Sequence, residues 1–225
     1  MSIAGAAQFA TIPNSGSNNI SNLNKSDEAI KAYDKAIEIN PQDSRAWKDK
    51  GISLIILNKS NEAIKAFDKA IEINPQDIIA WKDKGFALYK LKKYDEAIKA
   101  FDKAIEINPQ NSIAWKDKGF ALHRLNKYDE AKKAYDKAIE IDPQDSVAWN
   151  NKGFALYKLN KYDEAIKAFD KVIKINPQDS IAWHFKGNAL YKLKKFDEAK
   201  KAYNRAIEIN SQKLKTWHNK GTLSR

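Results

Sequence analysis

The chain has 225 residues, 43% hydrophobic and 31% charged, with a formal net charge of +11 and no cysteine. The missing thiols exclude a disulfide framework, thiolate metal sites and a cysteine nucleophile, and fit a reducing, cytoplasmic setting. No apolar run approaches the roughly 18 residues of a membrane span. Residues 1–13 are mildly apolar but lack a basic leader and a long hydrophobic stretch, so no signal peptide is expected.

In chain order, residues 1–24 do not repeat. Thr11–Asn24, rich in Ser, Asn, Gly and Pro, predicts an irregular segment. From Lys25 the chain becomes periodic. Residues 25–43 match the second half of a repeating unit, and full copies follow at 44–77, 78–111, 112–145, 146–179 and 180–213. Residues 214–225 read as the first half of another copy or as a capping helix. The six tryptophans (Trp47, Trp81, Trp115, Trp149, Trp183, Trp217) fall one to a copy. Gly51, Gly85, Gly119, Gly153, Gly187 and Gly221 keep the same period, as do Pro41, Pro75, Pro109, Pro143 and Pro177. A fixed period of this length marks a solenoid, whose units bury their apolar faces only by stacking on neighbours.

Each copy predicts two helices, at about 79–91 and 94–108 in the copy that begins at Ile78. Spaced at 100° per residue, Ala80, Trp81, Gly85, Ala87, Leu88 and Leu91 share one arc of the first helix. In the second, Tyr94, Ala97, Ile98, Ala100, Phe101, Ala104, Ile105 and Ile107 face one way, and the charged residues face the other. Pro109 stops the second helix because it has no N–H and restricts Asn108 before it. Asn111 or Ser112 is placed to cap the next helix. Gly85 and Ala97 allow the paired helices close approach, and Ala104 does the same towards the next copy.

The unit resembles the tetratricopeptide repeat (TPR) at Trp81, Gly85, Tyr94, Ala97, Phe101, Ala104 and Pro109 and their equivalents. Ser211 departs from the proline, Val172 from the small residue and Ser60 from the aromatic. Lys84 and its equivalents Lys50, Lys118, Lys152, Lys186 and Lys220 stand where the family has leucine, inside the arc expected to be buried. A buried unpaired ammonium is too costly, so the stem should pack and the head should reach water or a carboxylate. The resemblance implies an all-α fold, an α-solenoid of stacked antiparallel helix pairs wound as a right-handed superhelix. First helices would line its concave side, and the function would be protein–protein interaction.

On that concave side lie places 2, 5, 9, 12 and 13 of each copy. Place 5 holds Lys48, Lys82, Lys116, Asn150, His184 and His218. Place 9 holds Phe86, Phe120, Phe154 and Asn188. Place 12 holds Tyr89, His123, Tyr157 and Tyr191, and place 13 holds Lys90, Arg124, Lys158 and Lys192. None of these places carries an acid, although acids are plentiful on the second helices. Cations beside rings suit an extended, acidic peptide, with the rings giving contact area and the lysines orientation and association rate. The competing reading is that the phenylalanines merely pack against neighbouring first helices. Asp49, Asp83 and Asp117, at the edge, are placed to hold the lysines.

The carboxylate clamp of TPR chaperone adaptors, with Lys at place 5 and Asn at place 9, is not matched: Ile52, Phe86 and Phe120 follow the three lysines. No phosphate loop, catalytic triad or metal-ligand spacing is present, so neither an enzyme nor a cofactor is expected. Single-stranded nucleic acid suits interleaved cations and aromatics but is disfavoured by the period and packing residues. Self-assembly is the remaining alternative: Leu214–Arg225 of one molecule with Lys25–Asp43 of another would complete a repeat head to tail, giving open filaments and a homo-oligomer.

Overall fold

A computed structural model describes residues 16–222, with side chains described over 25–212. Among these residues every regular element is a helix: α1 (Gly16–Ile39), α2 (Ser44–Ile56), α3 (Ser60–Ile73), α4 (Ile78–Lys90), α5 (Tyr94–Ile107), α6 (Ser112–Arg124), α7 (Tyr128–Ile141), α8 (Ser146–Lys158), α9 (Tyr162–Ile175), α10 (Ser180–Lys192) and α11 (Phe196–Thr222). The architecture is an all-α solenoid in which α2, α4, α8 and α10 each pack on the second helix of their own repeat and on that of the repeat before. Two compact units divide at Ala121 and Leu122, within α6.

In the unit up to Ala121, the core is a succession of small residues around one ring per repeat. Phe67 packs with Leu54, Ala63, Ala66, Ala70 and Ala80, and Phe101 with Leu88, Ala97, Ala100 and Ala121. From Leu122 onward, Phe169 packs with Leu156, Ala165, Ala168, Val172 and Ala182. The glycine of each first helix is what admits the ring: a Cβ on Gly85 would sit 2.6 Å from Phe101 Cε1. Gly51, Gly153 and Gly187 stand in the same relation to Phe67, Phe169 and Tyr203.

The turn between repeats is built by its own sequence, Asn-Pro-Gln-Asp. The Asn74 carboxamide accepts from the Gln76 N–H at 3.2 Å, and Asp77 caps α4 by accepting from the Ala80 N–H at 3.0 Å. In the next turn Asn111, not Ser112, is the cap, accepting from Ala114 N–H at 3.0 Å. Each tryptophan indole among the described side chains then donates across the turn to the proline carbonyl: Trp81 to Pro75 at 2.9 Å, Trp115 to Pro109 at 3.0 Å, Trp183 to Pro177 at 3.1 Å. Tryptophan and proline therefore share a period because they bond to each other.

The turn within a repeat closes differently. Lys92 N–H donates to Tyr89 C=O at 2.9 Å and Lys93 N–H to Leu88 C=O at 3.0 Å, a Schellman pair. It requires a left-handed residue, and Lys92 has φ 63°. Asn58, Asn126 and Asn160 fill this place elsewhere, and asparagine tolerates it better than lysine. Lys92→Gly is expected to raise stability by about 0.5–1 kcal/mol, read as a higher denaturant midpoint at unchanged slope.

The lysines left unassigned by the sequence are clasps between repeats at positions 50, 84, 118, 152 and 186, the side chain of Lys220 lying outside the described residues. Lys84 Nζ lies 2.6 Å from Asp68 Oδ1 on α3 and 5.2 Å from the Trp81 ring centroid. Lys118 with Asp102, Lys152 with Asp136 and Lys186 with Asp170 repeat the pair at 2.6 Å. The head thus reaches a carboxylate of the preceding second helix, over an indole face that favours cations. At Asp136, burial works to raise the carboxyl pKa, but hydrogen bonds and charge from Lys132 and Lys152 outweigh it and hold the value low.

Two sequence expectations are corrected. The irregular segment expected to Asn24 is helical from Gly16 onward. Asn and Ser cost only up to ~0.7 kcal/mol each in a helix, so they do not stop one already nucleated by Lys25–Ile39 packing on α2. At the other end, residues from Leu214 do not form a separate first helix: through Thr222 they continue α11 without a break. The turn signals are missing there. Asn210-Ser211-Gln212-Lys213 replaces Asn-Pro-Gln-Asp, losing the proline that stops one helix and the acid that caps the next.

Candidate ligand-binding face

The first helices carry the candidate residues because their other side is committed to Trp, Gly, Ala and Leu of the stack. In the unit up to Ala121, Lys48 is half-buried and bonds Asp77 Oδ2 at 3.2 Å, tying α2 to the cap of α4. Lys82 pairs with its neighbour Asp83, so the edge aspartate does hold this lysine. Lys116 is half-buried at the same place on α6. Lys90 is exposed, reaches Asn58 Oδ1 at 2.7 Å and lies 5.8 Å over the half-buried Phe86 ring. Partial burial lowers the Lys90 pKa.

The tyrosines of place 12 are brought against the start of the second helix of their own repeat. Tyr89 meets Tyr94 edge-on with centroids 5.3 Å apart, and Tyr157 meets Tyr162 at 5.4 Å. Tyr191 meets Phe196 at 5.3 Å while remaining 57% exposed. His123 takes this place on Tyr128 at 5.2 Å. Burial first, then the charges of Lys158 and Arg124, lower the His123 pKa to about 4.

Two candidates are not surface groups. Phe120 is 7% exposed and Asn150 is 5% exposed. Asn150 Oδ1 is buried without a hydrogen-bond partner among the described residues. Phe154 is half-buried, its ring 3.9 Å from Phe185 and 6.1 Å from Phe169. For Phe154 the packing reading holds, because Phe185 of the following first helix lies against its ring. Phe185 was missed; its only signal is an aromatic where other copies have Asp or Asn. His184 is exposed beside Phe185 and Tyr203, and Asn188 Oδ1 accepts from the Tyr203 hydroxyl at 2.8 Å. The side chain of His218 lies outside the described residues.

Lys90, Arg124, Lys158 and Lys192, in the last turn of their first helices, are exposed, as is Arg45 in the first turn of α2. Exposed apolar area comes from Ile79 and Ile113, 47% and 49% exposed at place 2. Second helices differ. Their outer sides carry locally balanced pairs, Lys69–Glu72, Lys103–Glu106, Lys137–Glu140 and Arg205–Glu208, at 2.6–2.9 Å. No helix among the described residues is long and apolar enough to cross a membrane.

Family comparison agrees with this architecture. Tetratricopeptide repeat models match residues 44–77, 78–111, 112–145, 146–179 and 180–213, and a further one matches 21–43. The chain therefore belongs to the tetratricopeptide repeat family, whose members are protein-interaction scaffolds. No curated protein matches the sequence. Among solved structures, YrrB, described as a TPR protein with an unusual peptide-binding site, is 24% identical with a TM-score of 0.72, over 85% of this chain and 99% of that one. A crystal structure of MamA is 23% identical with a TM-score of 0.71, over 73% and 96%. MamA from Desulfovibrio magneticus RS-1 is 18% identical with a TM-score of 0.72, over 75% and 96%. At these identities the likeness is one of fold.

Proposed function

We propose that this protein is a non-enzymatic scaffold that binds an extended, acidic peptide along its first-helix faces. The observation carrying this reading is the division of charge. Second helices neutralise their lysines locally with glutamates, whereas the exposed first-helix places carry cations, tyrosines and isoleucines and no acid. An acidic ligand is drawn to a face whose exposed charges are basic. Lys82 and Lys116 would orient it, Lys90, Arg124, Lys158 and Lys192 would raise its association rate, and Ile79, Ile113 and Tyr89 would supply area. The peptide-binding site named for YrrB supports the class of ligand.

The test uses a fluorescein-labelled peptide of alternating Glu and Phe, followed by anisotropy. Lys82→Glu combined with Lys116→Glu should weaken binding by about tenfold or more, since both charges reverse sign at the ligand. Helical content should not change. Equal affinity of wild type and variant refutes the assignment. Tighter binding of a single-stranded oligonucleotide than of the peptide would favour the nucleic-acid reading instead.

A further inference from the structure

In α5 and α7 one isoleucine of the second helix is buried, and its equivalents Ile71 and Ile173 are half-buried. Ile105 is 8% exposed in a cluster with Ala114 of α6, and Ile139 is likewise 8% exposed. The equivalent residue on α11, Ile207, is 62% exposed. One turn before it Tyr203 is half-buried where Phe67, Phe101, Tyr135 and Phe169 are fully buried. The segment whose sequence would cover this face is present: residues 214–222 carry Trp217 and Gly221 at first-helix spacing. It cannot reach its own α11, because α11 runs straight through to Thr222. Twelve residues beyond Asn210, at ~1.5 Å each, carry the segment about 18 Å along the axis, away from Ile207.

We infer that two copies of this chain exchange residues 214–222, each segment sealing the Ile207 face of the other. The register supplies the argument for a second copy as the occupant. Second and following first helices run antiparallel, with Asp102 opposite Lys118 and Asp170 opposite Lys186. Laid between two α11 helices, that register sets Asn204 opposite Lys220 of the other copy, and the Ile105–Ala114 contact carries over to Ile207 beside its Thr216. It brings Gln212 opposite Gln212. The pairing is therefore its own two-fold mate, and one exchange closes the assembly as a dimer. The open head-to-tail filament needs residues 214–222 folded back as a first helix, which the continuous α11 does not provide. The hinge is the altered turn at 210–213. The inference stands apart from the peptide-binding reading, which concerns other faces.

Because the chain has no cysteine, Ile207→Cys with Thr216→Cys in the full chain reports the exchange directly. After mild oxidation, a non-reducing gel should show an interchain dimer, and sedimentation of unmodified protein should give about twice 25.6 kDa. Restoring the turn with Ser211→Pro and Lys213→Asp should return the mass to that of the monomer and make the disulfide intrachain. An intrachain disulfide without the restored turn, a monomer at high concentration, a ladder of larger species, or a restored-turn variant that stays dimeric would each overturn the exchange.

Discussion

Phe101→Ala should cost about 3–5 kcal/mol, the usual penalty for truncating a fully buried phenylalanine. The ring is 0% exposed and fills the space that Gly85 leaves open, against Leu88, Ala97, Ala100 and Ala121. Its neighbours are mostly alanines, too short to collapse into the hole. Gly85→Leu should destabilise from the opposite side by overpacking the same ring, by about 1–3 kcal/mol. Combining the two should cost less than the separate losses together, because the leucine enters the space the ring vacates. Urea unfolding followed by circular dichroism measures all three. A loss below ~1 kcal/mol for Phe101→Ala would contradict the role given to this ring.

Acidification from pH 6.5 to 4 should remove stability through His123. The folded chain holds this imidazole near a pKa of about 4, through burial and then the Lys158 and Arg124 charges, against an ordinary value of 6.5. Between those values the unfolded state binds the proton and the folded state does not. The stabilising contribution is therefore complete above pH 6.5 and is lost as the pH falls towards 4, by on the order of 3 kcal/mol. His123→Tyr installs the residue found at positions 89, 157 and 191, whose side chain does not titrate in this range. The difference in stability between wild type and variant, measured at pH 7 and pH 4.5, should shift by most of that amount. An unchanged difference would show that His123 is not held neutral by its surroundings.

The repeat architecture was legible because its makers recur at fixed places and act within a few residues. Trp81 donates to Pro75 six positions earlier, and Gly85 answers Phe101 in the same repeat. Lys84 was not legible because its carboxylate, Asp68, belongs to the preceding repeat and was recognisable only once the stack existed. Phe86 and Phe120 occupy the same place, yet one is half-buried and the other buried. Periodicity alone assigns both to the exposed arc, because it does not weigh the neighbouring side chains that set how deeply each ring is covered. At the C-terminal end Trp217 and Gly221 carried the first-helix pattern convincingly. A pattern states which surface a segment would pack on, but the turn residues decide whether it can get there, and Ser211 and Lys213 supply no stop and no cap.

The most direct measurement of the central reading is backbone amide chemical-shift mapping of the full chain during titration with the alternating Glu–Phe peptide. The account predicts perturbations concentrated on the first helices α4, α6, α8 and α10, around Lys82, Lys90, Arg124 and Lys158, and weakening as salt is raised. Perturbations concentrated on α5, α7 and α9, or equal shifts with a Lys–Phe peptide of the same length, would contradict it.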